Sequence, residues 1–103
     1  MRRGEVWWAA LPKPAGRRPV VLASRDDAYA VRALITVVPV TTRVRGIPVE
    51  VPLGRAEGLP RRCVANADTV TTIPKELLVE HIGALSPDAV AALDDALRFA
   101  LEL

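Results

Sequence analysis

Apolar residues in the first part of the chain come in short runs broken by Gly, Pro and charged residues, and only from residue 86 does the spacing change. Short Val/Ile/Leu/Trp runs bounded by turn residues are the signature of strands. They predict strands over residues 5–10, 19–23, 33–40, 47–53, 62–66, 69–73 and 79–85. Residues 12–16 form a stiff polar loop, residues 26–31 fit either a short helical turn or a loop, and Pro74 opens one helical turn over 74–78. Pro39 has no N–H for a ladder, so it predicts an edge or a bulge near the end of the third strand. Val49 and Val51 alternate with Glu50 between Pro48 and Pro52, the period of a half-exposed edge strand.

The final segment reads as a helix. Ser86 suits the N-cap, Pro87 the first helical position, and Asp88 the positive end of the helix dipole. Val90, Leu93, Leu97 and Leu101 recur at three- and four-residue spacing and make one apolar stripe, which covers the sheet or meets a second subunit. Asp94 and Arg98 stand four apart on another face, a surface pair worth ~0.3–0.5 kcal/mol. The expected fold is mostly β (α+β): a small antiparallel barrel or curled sheet with a short helical turn and a C-terminal helix, in one domain over residues 1–103.

Composition narrows the function classes. Apolar residues make up 50% of the chain, yet no apolar run approaches the ~20 residues that span a bilayer. The basic N-terminus lacks a signal core, so a soluble, cytoplasmic protein without membrane contact is expected. Cys63 is the single cysteine, which excludes an internal disulfide, and its strand-like setting reads as packing. His81 is the single histidine and reads as a packed or surface residue. No metal-ligand spacing, nucleophile elbow, P-loop or dinucleotide fingerprint is present, so no metal or cofactor is expected.

Charge is divided unevenly along the chain. Residues 1–62 hold twelve Lys/Arg against five Asp/Glu, and residues 63–103 hold two against seven. Most of the cations are arginine, whose planar fork suits phosphate, so the basic half points to a polyanion. Lys13, Arg17 and Arg18 flank the Pro-rich loop, Arg43 and Arg45 follow Thr41 and Thr42, and Arg61 and Arg62 precede the fifth strand. For any one loop arginine, solubility is an equal explanation. Arg18 stands apart because it directly precedes a buried strand, which holds its head at the sheet rim. Thr41 and Thr42 close the third strand with hydroxyls. Together, Arg18 and Thr41, with Lys13, Arg17, Thr42 and Arg43, form a candidate phosphate-reading set. Trp7 and Trp8 point to opposite faces of one strand, which leaves one for the core and the other for a subunit contact or a base.

The segments Arg3-Gly4-Glu5-Val6-Trp7-Trp8, Arg18-Pro19-Val20-Val21-Leu22 and Val38-Pro39-Val40-Thr41-Thr42 resemble the MazF/PemK family of toxins. The likeness continues through Val49–Leu53, Thr72–Leu78 and Ile82–Pro87. It implies an SH3-like barrel, a homodimer, and sequence-specific, metal-independent cleavage of single-stranded RNA such as mRNA. It also implies neutralisation by a co-expressed MazE-like antitoxin. Residue by residue, the family's catalytic pair falls on Arg18 and Thr41. The family's reaction is attack of a ribose 2′-OH on the adjacent phosphate, leaving a 2′,3′-cyclic phosphate and a 5′-OH. Two departures, a short loop over 12–17 and threonines over 69–72, bar transfer of any cleavage motif. A CcdB-like gyrase poison and a non-catalytic SH3-like interaction module share the architecture and stay open as alternatives.

Overall fold

Seven strands and two helices, in a computed structural model covering residues 1–103, follow the order that the apolar runs predict. The strands are β1 (Glu5–Ala10), β2 (Arg17–Leu22), β3 (Leu34–Thr41), β4 (Glu50–Leu53), β5 (Cys63–Asn66), β6 (Thr71–Pro74) and β7 (Leu78–Ala84). The helices are α1 (Ala28–Val31) and α2 (Pro87–Leu101), and 3-10 turns span Arg55–Glu57, Ala67–Thr69 and Lys75–Leu77. Every ladder is antiparallel. The strands run in the order β4-β5-β3-β2-β1-β7, and β6 also pairs with β3. No helix is long and apolar enough to cross a membrane.

β3 curls the sheet because it changes partners along its length. On one side its middle pairs with β2, at Val20↔Pro39, Val21↔Val38 and Leu22↔Val37. On the other side residues 34–37 pair with β6, and Val40 and Thr41 pair with β5. Pro39 sits at the changeover. It marks neither an edge nor a bulge; its missing N–H falls where β3 has no partner on that side, so no ladder bond is lost. β4 is an edge strand as its prolines require, but it is confined to Glu50–Leu53, because Glu50 N bonds back to Ile47 O and closes a turn before it.

The unbroken run Val20-Val21-Leu22 reflects burial on both faces of β2. Val21 joins Val6, Val38 and Val40 in one apolar cluster, whereas Val20 and Leu22 join Ala9, Ile35 and Val37 in another. α2 closes the first cluster. Ser86 Oγ accepts from Ala89 N at 3.2 Å, and Leu93 and Ala96 are buried. The predicted stripe therefore covers the chain's own sheet through Val90, Leu93 and Leu97, while Leu101 is 52% exposed. Asp94 does not pair with Arg98. It meets Arg3 at 2.7 Å, and Arg98 turns to Asp95 at 3.2 Å. Neither tryptophan is fully buried.

The loop between β4 and β5 is pressed against β7 at two glycines. Gly58 has φ +88°, and a Cβ there would come within 2.8 Å of the Ile82 carbonyl oxygen. A Cβ on Gly83 would strike the Glu57 carbonyl. This close approach carries Leu59 and Pro60 to the end of the sheet where Arg18 stands.

Candidate functional site

The β2–β3 register brings Arg18 and Thr41 together. With Val21 opposite Val38 and Val20 opposite Pro39, the same register continued by two residues sets Arg18 across from Thr41. Two hollows open at this end of the sheet, and both residues line both of them.

The larger hollow, about 350 Å³, has an apolar floor of Pro19, Val40, Leu59, Pro60 and Cys63, with Trp8, Arg17, Thr42 and Arg61 around it. The smaller, about 170 Å³, is lined by Pro39, Arg43, Arg45, Asn66 and Thr69 besides the shared pair. No carboxylate or imidazole lines either one.

Local bonds shape the smaller hollow. Thr41 Oγ1 accepts from Arg43 N at 3.1 Å, which turns the chain immediately after β3. Glu50 then accepts from Arg45 N at 3.1 Å and Gly46 N at 2.8 Å. Desolvation works to raise the Glu50 carboxyl pKa, but these amides and the Arg45 charge hold it below the ordinary value. Asn66 Oδ1 caps the following turn at Asp68 N (2.9 Å), which leaves its amide N–H₂ uncommitted.

The cations differ in how far they are satisfied. Arg17 is bound to Glu80 at 2.9 Å and its guanidinium lies 4.9 Å from the centre of the Trp8 ring. Arg18, Arg43, Arg45 and Arg61 have no carboxylate within ion-pair distance. No carboxylate lines either hollow, although Glu50 lies near enough to feel the Arg45 charge, so the potential in the hollows is positive and suits an anion such as phosphate.

Of the predicted set, Arg17, Arg18, Thr41, Thr42 and Arg43 gather at the two hollows. Lys13 does not: it is exposed on the β1–β2 loop and lines neither. Thr69 belongs to the threonine stretch that the family resemblance implies touches substrate, whereas Asn66 has no such signal, because an Asn before a turn reads as a cap. Cys63 is buried; desolvation, and then the Glu57 charge, push its thiol pKa up, so it packs as a neutral thiol. His81 stacks on Trp7 with ring centres 5.2 Å apart, and its Nε2 lies 3.0 Å from the Gly83 carbonyl oxygen, away from both hollows.

The sequence and the fold both match known proteins. The family model for the PemK-like, MazF-like toxin of type II toxin-antitoxin system matches residues 2–101. The chain is 39% identical over 101 residues to the probable endoribonuclease MazF5 of Mycobacterium tuberculosis, covering 97% of this chain and 92% of that one. Its fold matches the Mycobacterium tuberculosis toxin MazF-mt6 with a TM-score of 0.89 at 33% identity, over 96% of this chain and 97% of that one. A mycobacterial endoribonuclease in complex with its cognate antitoxin matches with a TM-score of 0.87 at 28% identity, over 100% of this chain and 96% of that one.

Proposed function

The chain belongs to the PemK-like, MazF-like toxins of type II toxin-antitoxin systems, and from that premise we propose that it cleaves single-stranded RNA in the cytoplasm without a metal ion. The observation that carries this reading is the pairing of Arg18 with Thr41 on the wall shared by a cationic hollow and an apolar one. In the reaction, the ribose 2′-OH attacks the adjacent phosphorus and the bond to the 5′ oxygen of the next nucleotide breaks. The 2′-OH loses its proton, the leaving oxygen gains one, and a 2′,3′-cyclic phosphate and a 5′-OH remain.

Arg18 serves charge stabilisation. Its guanidinium is a cationic donor and donates to the phosphoryl oxygens as negative charge grows on them. Thr41 donates its hydroxyl to a phosphate oxygen or orients the 2′-OH, and its own oxygen is steadied by Arg43 N. Neither hollow is lined by a carboxylate or an imidazole, and the arginine charges around them disfavour a divalent cation, which supports metal-free chemistry. Arg43 and Arg45 carry the flanking backbone. An unpaired strand is favoured because its 2′-OH swings in line with the leaving oxygen.

The chain acts as a homodimer in this reading, and its antitoxin is an acidic segment with apolar anchors that occupies the same end of the sheet. The complexed mycobacterial relative supports an antitoxin partner.

Purified protein incubated with a long single-stranded RNA in EDTA tests the proposal. The expected result is discrete fragments whose 5′ ends accept phosphate from a kinase without prior phosphatase treatment, with cyclic phosphate at the 3′ ends. RNA left intact, with gyrase inhibited instead, would favour the gyrase-poison alternative; RNA left intact with gyrase unaffected would favour an interaction module.

A further inference from the structure

Trp7 and Trp8 are neighbours in sequence with opposite surroundings. Trp7 donates its indole N–H to Glu5 at 2.9 Å, stacks on His81 and packs against the second apolar cluster. Trp8 belongs to neither cluster. Its indole N–H has no acceptor in the protein and, since no buried side-chain donor is left unpaired, it reaches solvent. A large aromatic ring held half-exposed in a hollow is not needed by the core.

We infer that the larger hollow is a nucleobase subsite in which Trp8 and the Arg17 plane stacked on it receive one unpaired base next to the cleaved phosphate. This rests on the ribonuclease reading above. The two hollows differ as the two halves of a nucleotide differ. Each is lined by three arginines, but the smaller is apolar only at Pro39 and suits phosphate and sugar, whereas the larger adds Pro19, Val40, Leu59 and Pro60, against which a flat apolar group can pack. Arg18 and Thr41 stand between them, where the phosphate joining the two halves must lie.

Glu80 is a positioning residue here. It stands beside Trp8 in the β1–β7 pairing and binds Arg17 at 2.9 Å, fixing the guanidinium 4.9 Å from the ring centre. Stacking accepts any base, so discrimination falls to the donors on the rim, the Arg61 guanidinium and the Trp8 N–H, together with the Thr42 hydroxyl.

The test is a cycle between enzyme and substrate. RNAs carrying a single abasic nucleotide at each position flanking the cut are compared with intact RNA, using wild type, Trp8→Leu and Trp8→Phe. In wild type one abasic position should lower kcat/KM roughly tenfold to hundredfold, the range of a lost base stack. Trp8→Leu should show that loss on intact RNA and no further loss at the abasic position, while Trp8→Phe keeps most of the activity. An abasic penalty as large in Trp8→Leu as in wild type would overturn the subsite, as would no penalty at any position. A second readout needs no cleavage. An RNA with 2′-deoxyribose at the cut should quench tryptophan emission in wild type and not in Trp8→Phe, which retains Trp7. Equal quenching in both proteins would overturn the subsite, whereas quenching by Trp8 with no RNA ever cut would overturn only the ribonuclease reading.

Discussion

The two ends of the β2–β3 pair are built from the same strands and treat polar groups in opposite ways. At the end near Ser24 and Thr36 they are bonded inward. Ser24 Oγ accepts from Thr36 N at 2.7 Å, Tyr29 Oη donates to Ser24 O at 3.1 Å, and Arg3 donates to Ala23 O while meeting Asp94. Lys75 Nζ adds a bond to Tyr29 O at 2.6 Å. At the Arg18–Thr41 end, Arg18, Arg43, Arg45 and Arg61 form no ion pair, although Glu50 feels the Arg45 charge, and two hollows stand open. Cations gathered around an open hollow raise the local positive potential and favour an anion there. One end is bonded within the sheet, and the other leaves its cations facing solvent.

The largest effect should come from removing the centre of the open end. Arg18→Ala is expected to slow RNA cleavage ~10²–10³-fold, the usual cost of one donor to a developing oxyanion. Because Arg18 has no ion pair inside the protein, its loss should leave the melting temperature nearly unchanged. Thr41→Ala should be next in severity. Single-turnover cleavage with a parallel thermal melt checks both, and a folded Arg18→Ala protein that cuts at the wild-type rate would end the comparison.

Gly83→Ala strikes the support of the open end. The new methyl meets the Glu57 carbonyl, a backbone atom that must shift, so the expected cost is ~1–3 kcal/mol of stability. Leu59 and Pro60 move with that loop, and RNA cleavage should fall beyond what unfolding explains. Urea melts beside activity at a temperature where the variant stays folded separate the two effects.

The closed end should instead answer to pH. Burial, helped by the Asp26 charge and opposed by the Ser24 bond, pushes the Tyr29 phenol up to about 12. The folded state therefore holds this proton more tightly than the unfolded chain, whose phenol titrates near ~10. Stability is fully present below pH ~10 and is lost as pH rises from there through the folded value, by about 3 kcal/mol. Tyr29→Phe should be weaker at neutral pH by ~1 kcal/mol, for its lost hydrogen bond, and should lack the alkaline decline. Urea melts at neutral and alkaline pH check this; a decline unchanged in Tyr29→Phe would assign it to another group.

Which of these features the sequence discloses depends on whether their cause is local. The cap at Ser86, Pro87 at the first helical position and β1 follow from neighbouring residues and stand where the sequence sets them. Arg18, expected just before its strand, lies inside it, because pairing with β1 extends β2 back to Arg17. The place of Pro39 does not follow from its neighbours, since it depends on β3 exchanging β6 for β5, both far along the chain. Asp94 was assigned to Arg98 by helical spacing, yet Arg3 reaches it across the fold. Lys13 looked like part of the phosphate set because it lies near Arg17 and Arg18 in sequence. The β1–β2 loop leaves it outside both hollows, while Asn66 and Thr69 arrive from β5 and the turn after it.

The smallest effect distinguishes open cations from closed ones individually. Each phosphate contact on a single strand contributes ~0.7 to the slope of log K against log salt, through release of bound counter-ions. Arg43→Gln and Arg45→Gln should each lower the magnitude of that slope by about this amount, because both line the smaller hollow and neither guanidinium is in an ion pair. Arg25→Gln and Arg98→Gln should leave it unchanged, since those guanidinium groups already meet Asp27 at 2.9 Å and Asp95 at 3.2 Å. Lys13→Gln belongs with the second pair if its place outside the hollows is what counts, and with the first if proximity in sequence is enough. Arg17→Gln should leave the slope nearly unchanged as well, because Glu80 holds that guanidinium over Trp8 and not on a phosphate. Binding of a 2′-deoxy-blocked RNA measured across a salt series ranks all six variants. Equal slopes for Arg43→Gln and Arg98→Gln would mean that the RNA path does not follow the open end of the sheet.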